Sequence, residues 1–135
     1  MAANQVQGRT PPRDPLPVPL YDNTQLALDR AISGAAMRQQ VLANNLANAE
    51  TPGFQRSDVD FHTTLAQAMK TADPNAIEST TFSPQVDYQT LRADGNGVDI
   101  DAESANMAKN GLEYEALVSV AKARDSILRS AMGVS

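Results

Sequence analysis

Apolar residues recur at alternating spacings of four and three from Leu28 through Ile32, Ala35, Leu42 and Leu46 to Ala49, interrupted only by Gln39. That is the heptad seam of a helix that needs a partner helix. Its start is marked locally: Asp22 and Gln25 form a capping-box pattern, and Tyr21 and Leu26 hold the flanking positions of a hydrophobic staple. Gly34, beside Ala35 and Ala36, leaves room for another backbone to approach, at about 1 kcal/mol of helix propensity. The end is abrupt. Asn44, Asn45 and Asn48 crowd the last turns with side chains that compete for backbone hydrogen bonds. Pro52 then pushes Thr51 out of the α region and Gly53 permits a positive φ, so the helix must stop close to Glu50 and the chain must turn.

A second long helix is predicted from Asp99 or Asp101 as N-cap, with Asp101 and Glu103 complementing the positive end of its dipole. Met107, Leu112, Tyr114, Leu117, Val118, Ala121, Ile127, Leu128 and Met132 spread over a face too broad for one partner helix to cover. Asn110 and Gly111 are its weak point. Between the two helices the pattern is irregular. Phe61, Leu65 and Met69 share one face of a short helix over 59–70, and Pro74 is expected to end it. Residues 80–91 lean toward extended structure, with Pro84 confining any strand to an edge, and Asp94-Gly95-Asn96-Gly97 reads as a turn. Residues 1–20 carry Pro11, Pro12, Pro15, Pro17 and Pro19, which excludes a helix or interior strand and leaves an extended, polyproline-like arm. That arm is either a solvated leader or one that orders against a neighbouring subunit through Leu16, Val18 and Leu20.

The expected fold is therefore mainly α. Long N- and C-terminal helices pair as an antiparallel coiled coil, joined by an irregular middle with a short helix and room for a small β-hairpin. The divisions are the arm (1–20), the N-terminal helix with its asparagine-rich end (21–50), the turn and excursion (51–98) and the C-terminal helix (99–135), with 21–135 forming one domain.

Composition narrows the function classes. Aromatics are 4% of the 135 residues and Trp is absent, so the core rests on Ala, Leu, Ile, Val and Met. A net charge of −5 without a Lys/Arg block argues against nucleic acid. The absence of cysteine removes disulfides and thiolate metal sites. His62 is the sole histidine, and no nucleophile–base spacing or glycine-rich phosphate loop accompanies it, so no enzyme, catalytic residue, cofactor or small-molecule substrate is expected. The run from Asp94 to Asp101 superficially resembles a calcium loop, but Val98 and Ala105 stand where oxygen ligands are required, so no metal is expected. No segment has the length of a membrane span, and the start lacks the pattern of a cleavable signal peptide.

The run Asn44, Asn45, Leu46, Ala47, Asn48 to Thr51, Pro52, Gly53 and Phe54 closely resembles the signature of the bacterial flagellar axial proteins, the rod, hook and hook-junction family. The short length, the continuation from Arg56 to Phe61, the later Val98 to Glu103 and Tyr114 are most similar to its proximal rod members. Glu50 departs from the Asn or Asp more usual there, and the proline-rich leader is longer than the family pattern. The resemblance implies a structural subunit of the basal-body rod in the periplasm, assembling helically through its terminal helices to link the membrane ring to the distal rod. Implied partners are copies of itself, other rod proteins, the rod-to-ring adaptor FliE and the membrane ring. It also implies passage through the flagellar type III export gate without a cleaved signal, for which Phe61 and Leu65 fit a Phe-x-x-x-hydrophobic gate motif. The assembly motif would be Asn44, Asn45, Leu46, Asn48, Thr51, Pro52, Gly53 and Phe54. The helix seam would be Leu28, Ile32, Ala35, Leu42 and Leu46 against Met107, Tyr114, Leu117, Val118, Ala121 and Leu128. Alternatives are another short rod subunit or a non-polymerising coiled-coil adaptor. A membrane-surface helix is disfavoured, since acidic Glu113, Glu115 and Asp125 alternate with the cations of the last helix.

Overall fold

The computed structural model describes residues 22–88, 95 and 97–133, so the proline-rich arm, Tyr21 and half of the 94–97 turn, Asp94 and Asn96, lie outside it. Helix α1 spans Asn23–Ala47 and α4 spans Ile100–Ala131, about 37 and 48 Å at 1.5 Å per residue. Between them lie strand β1 (Ser57–Asp58), α2 (Phe61–Lys70), α3 (Pro74–Glu78) and β2 (Gln85–Val86).

Each helix begins where a carboxylate can take up free N–H groups. Asp22 accepts from Gln25 N, Asp60 from Thr63 N, Asp73 from Asn75 N, and Asp99 from both Asp101 N and Ala102 N. The Gln25 side chain donates from Nε2 to Asp29 Oδ1 at 3.1 Å. Pro74 does not simply terminate α2. That helix closes at Thr71, and Pro74 opens α3 from its first turn, where a missing N–H costs nothing.

Helices α1 and α4 pack along each other with opposite sense: Asn45 meets Glu103, Ala35 meets Asn110, and Asp22 meets Arg124. The other side of α1 is covered by α2, α3 and β1. There Ala27, Leu65 and Ile77 form one apolar cluster and Ala35, Val59 and Phe61 a second, bridged by half-buried Ala31 and Phe82. The neighbour that Gly34 admits is an aromatic ring: a Cβ there would lie 2.6 Å from both Cβ and Cγ of Phe61. β1 and β2 pair antiparallel, Ser57 with Val86 and Asp58 with Gln85. Helices α2 and α3 separate the two strands in sequence, so this ladder is a long-range closure, not a local hairpin.

Candidate functional site

The asparagine-rich end of α1 splits into an inward and an outward set. Asn45 is fully buried, and its amide treats Ser57 as a strand neighbour: Nδ2 donates to the Ser57 carbonyl at 2.6 Å and Oδ1 accepts from Ser57 N at 3.0 Å. Nδ2 also donates to Glu103 Oε1 at 2.7 Å. One side chain thereby ties the end of α1 to β1 and to the first turn of α4. Asn44 is exposed and Asn48 half-buried. Asn48 caps α1, donating from Nδ2 to the Asn44 carbonyl at 2.9 Å and to Asn44 Oδ1 at 3.0 Å. Thr51, Pro52 and Gly53 form an exposed turn in which Gly53 has φ +75°, while Leu46 and Phe54 are half-buried.

Glu103, expected to serve the helix dipole, instead turns inward and is 2% exposed. It accepts from Asn45 and from Arg56, whose Nε reaches Oε2 at 3.1 Å. Arg56 in turn bonds Asp87 at 2.6 Å and Asp58 at 3.5 Å, and Arg38 from α1 grips Asp58 with two bonds of 2.7 and 2.9 Å. Burial pushes the pKa of the Arg56 guanidinium down, but Glu103, Asp87 and Asp58 outweigh it and hold Arg56 more firmly protonated than usual. Burial likewise pushes Asp58 up, and the Arg38 hydrogen bonds, the Val59 N–H and the two arginine charges bring it below the ordinary carboxylate value.

Farther along the pair, Asn110 is also fully buried. It donates to the Ala35 carbonyl at 2.9 Å and to Gln39 Oε1 at 2.7 Å, which ties this part of α4 to α1, while its Oδ1 is buried with no partner among the described residues. Arg124 pairs with Asp22 at the opposite end. Sequence reasoning missed these roles, although a signal was present: Glu103, Asn110, Leu117 and Arg124 fall every seventh residue, and each faces α1. Attention to apolar periodicity alone passes over a seam position when it is polar.

Of the residues assigned to the seam, Ala35 and Leu42 are buried, while Leu28, Ile32, Leu46, Met107, Leu117, Val118 and Ala121 are half-buried. Tyr114 and Leu128 are exposed. Within α4 the buried residues are Glu103 and Asn110, whereas Leu112, Val120 and Ile127, and Met132 at its C-cap, are 56–70% exposed. Phe61 and Leu65 do lie on one face of α2, and both are in the core. His62 is exposed and contacts Glu113. Each side-chain nitrogen and oxygen of Asn45, Glu103 and Arg56 has a partner within the chain, so the group can hold two helices in register.

The family model described as "Flagella basal body rod protein" matches residues 27–55, the segment from mid-α1 through the asparagine turn. The flagellar basal body rod protein FlgB of Bacillus subtilis is 34% identical over 73% of this chain and 84% of its own length. FlgB of Yersinia enterocolitica is 35% identical over 63% of this chain and 75% of its own, and FlgB of Escherichia coli K12 is 34% identical over the same shares.

Proposed function

Given that the chain belongs to the family of flagellar basal body rod proteins FlgB, and is thus a structural subunit of the flagellar basal-body rod, we propose that it builds the proximal rod as a helical array held through its terminal helices. The observation that carries this reading is the polarity of α4. Its fully buried contacts with α1 are the polar Glu103 and Asn110, with Arg124 pairing Asp22, while large apolar side chains such as Leu112, Val120 and Ile127 stay exposed. Large apolar side chains left exposed along one helix are costly for a lone subunit and are expected where neighbouring subunits cover them. In the assembly the α1–α4 pair acts as an antiparallel coiled coil, with Leu28, Ile32, Leu46, Tyr114 and Leu128 completing seams between subunits. The exposed turn at Thr51, Pro52 and Gly53, with Asn44 and Asn48 beside it, supplies amides and backbone groups to the adjacent subunit.

The same reading names other rod proteins, the adaptor FliE and the membrane ring as neighbours, and the type III export gate as a transient partner before folding. The rod would then lie in the periplasm, reached without a cleaved signal, and its work would be mechanical, with no catalytic step. Among the described residues, no helix is long and apolar enough to cross a membrane. A test uses Leu112→Asp in cells lacking the native chain. The expected result is loss of swimming and of the chain from isolated basal bodies, with the purified variant as stable as the parent, because Leu112 is 70% exposed. Wild-type swimming would overturn the assignment of the α4 face to assembly.

A further inference from the structure

Two asparagines in the sequence are followed directly by glycine, Asn96 and Asn110. Asn96 lies outside the described residues, whereas Asn110 sits within α4, fully buried against α1. The glycine after it has no packing role. A Cβ at Gly111 would meet nothing within 4 Å and its φ is not positive, so alanine would fit there and favour the helix.

What this glycine does supply is reactivity. Its backbone nitrogen, unhindered by a neighbouring side chain and free in conformation, can attack the side-chain amide carbon of the asparagine before it. A new C–N bond closes a succinimide ring, and the side-chain nitrogen leaves as ammonia with the proton of the attacking N–H. Water then opens the ring at either carbonyl to give aspartate or isoaspartate. One water enters and one ammonia departs, with no oxidant or cofactor.

The fold withholds both reacting groups. In α4 the Gly111 N–H belongs to the helical ladder, and helical ψ at Asn110 directs that nitrogen away from the side chain. Asn110 Nδ2 is held by the Ala35 carbonyl at 2.9 Å and Gln39 Oε1 at 2.7 Å, so the amide cannot turn toward its own backbone. Neither product suits the place. Aspartate would set an acceptor against both partners, of which only the Gln39 amide can turn to donate. Its other oxygen would occupy the position of Oδ1, which is buried and meets no donor among the described residues. Isoaspartate would add a backbone carbon inside a continuous helix.

We infer that Asn110–Gly111 is a spontaneous deamidation site gated by the fold. Pairing of α1 with α4 silences it, and a chain that stays unpaired converts at position 110 and loses the ability to pair. Subunits that wait too long unfolded are thereby withdrawn from folding. The inference rests on the α1–α4 contact and does not depend on the assembly reading above.

The test incubates the full-length chain folded in buffer and unfolded in urea, at one pH and temperature, and then cleaves at glutamate. Fragment 104–113 carries Asn110, and fragment 79–103 carries Asn96 as a separate Asn-Gly pair. Mass spectrometry follows the change from amide to acid in each. Fragment 104–113 is expected to convert in urea and to be slowed roughly tenfold or more in the folded chain, because only the opened fraction reacts. Gly111→Ala should slow conversion of that fragment in urea while leaving fragment 79–103 unaffected. After dilution from urea, chains converted at 110 should collect in the fraction that fails to become protease-resistant. Equal conversion of fragment 104–113 in the folded and unfolded chains would overturn the gating by the fold. Fast conversion of Gly111→Ala, or refolding of converted chains as complete as that of intact ones, would overturn the inference as well.

Discussion

The Asn45 amide donates to the Glu103 carboxylate at 2.7 Å, across 58 positions of sequence, with both side chains removed from solvent. Neither residue could be buried alone. The asparagine satisfies both backbone groups of Ser57, and the carboxylate is balanced by Arg56, so the contact between α1 and α4 is closed by a polar group in which each member depends on the next. Such groups add little net stability over an apolar packing of equal volume, but removing one member leaves the others buried and unpaired.

Asn45→Ala should therefore lower the unfolding free energy by on the order of 3 kcal/mol, since it strands Ser57 and leaves Glu103 short of a donor. Asn45→Asp should be worse at neutral pH, because it sets a second carboxylate against Glu103. Urea titrations of the two variants check this, and equal midpoints for parent and Asn45→Ala would show that the amide is dispensable.

Gly34→Ala sets two effects against each other. Helix propensity favours alanine by about 1 kcal/mol. The added Cβ would sit 2.6 Å from Phe61, a buried ring on α2 with little room to move. Overpacking of this kind costs about 1–3 kcal/mol, so a net loss is expected. Gly111→Ala, where a Cβ meets nothing within 4 Å, should instead gain stability. Thermal melts of both variants separate packing from propensity.

The Arg38–Asp58 pair predicts an acid limb. Asp58 has its folded value below the ordinary carboxylate value, so its contribution is fully present above the unfolded value of about 4 and is lost as pH falls through the folded one. Arg38, held more firmly protonated by Asp58, does not titrate in this range. Stability should fall below about pH 4, and Asp58→Asn should reduce the steepness of that fall. Denaturant midpoints from pH 7 down to 3 would reveal it, and a slope unchanged by the substitution would assign the acid limb to other carboxylates.

Phe61 serves the core of the folded chain, where it is 1% exposed, so an export gate could read it only before folding. Phe61→Ala should destabilise the fold by about 3–5 kcal/mol, and Leu42→Ala by about 2–5, since both residues are fully buried. Only the first alters the proposed gate motif. In cells lacking later rod components, periplasmic levels should fall for Phe61→Ala and hold for Leu42→Ala. Equal levels would leave Phe61 with a packing role alone.

Legibility followed the range of the interactions. The capping carboxylates Asp22 and Asp99 and the stop before Pro52 act within a few residues, and the chain alone disclosed them. Pro74 was ambiguous because the same ring that breaks a helix interior also suits a first turn, and only Asp73 in the capping position shows which applies. Gly34 announced a close approach without saying that an aromatic ring, 27 residues on, would make it.

The sequence by itself determined two long helices, a short amphipathic one, the asparagine turn and the family likeness, because apolar periodicity, capping chemistry and a contiguous motif are all written in neighbouring residues. Which polar residues would be buried was decided only by the tertiary structure. Asn45, Arg56, Glu103 and Asn110 look like ordinary surface residues along the chain. They can leave water only when partners tens of positions away arrive to replace its hydrogen bonds, and that replacement exists only once α1 and α4 lie side by side.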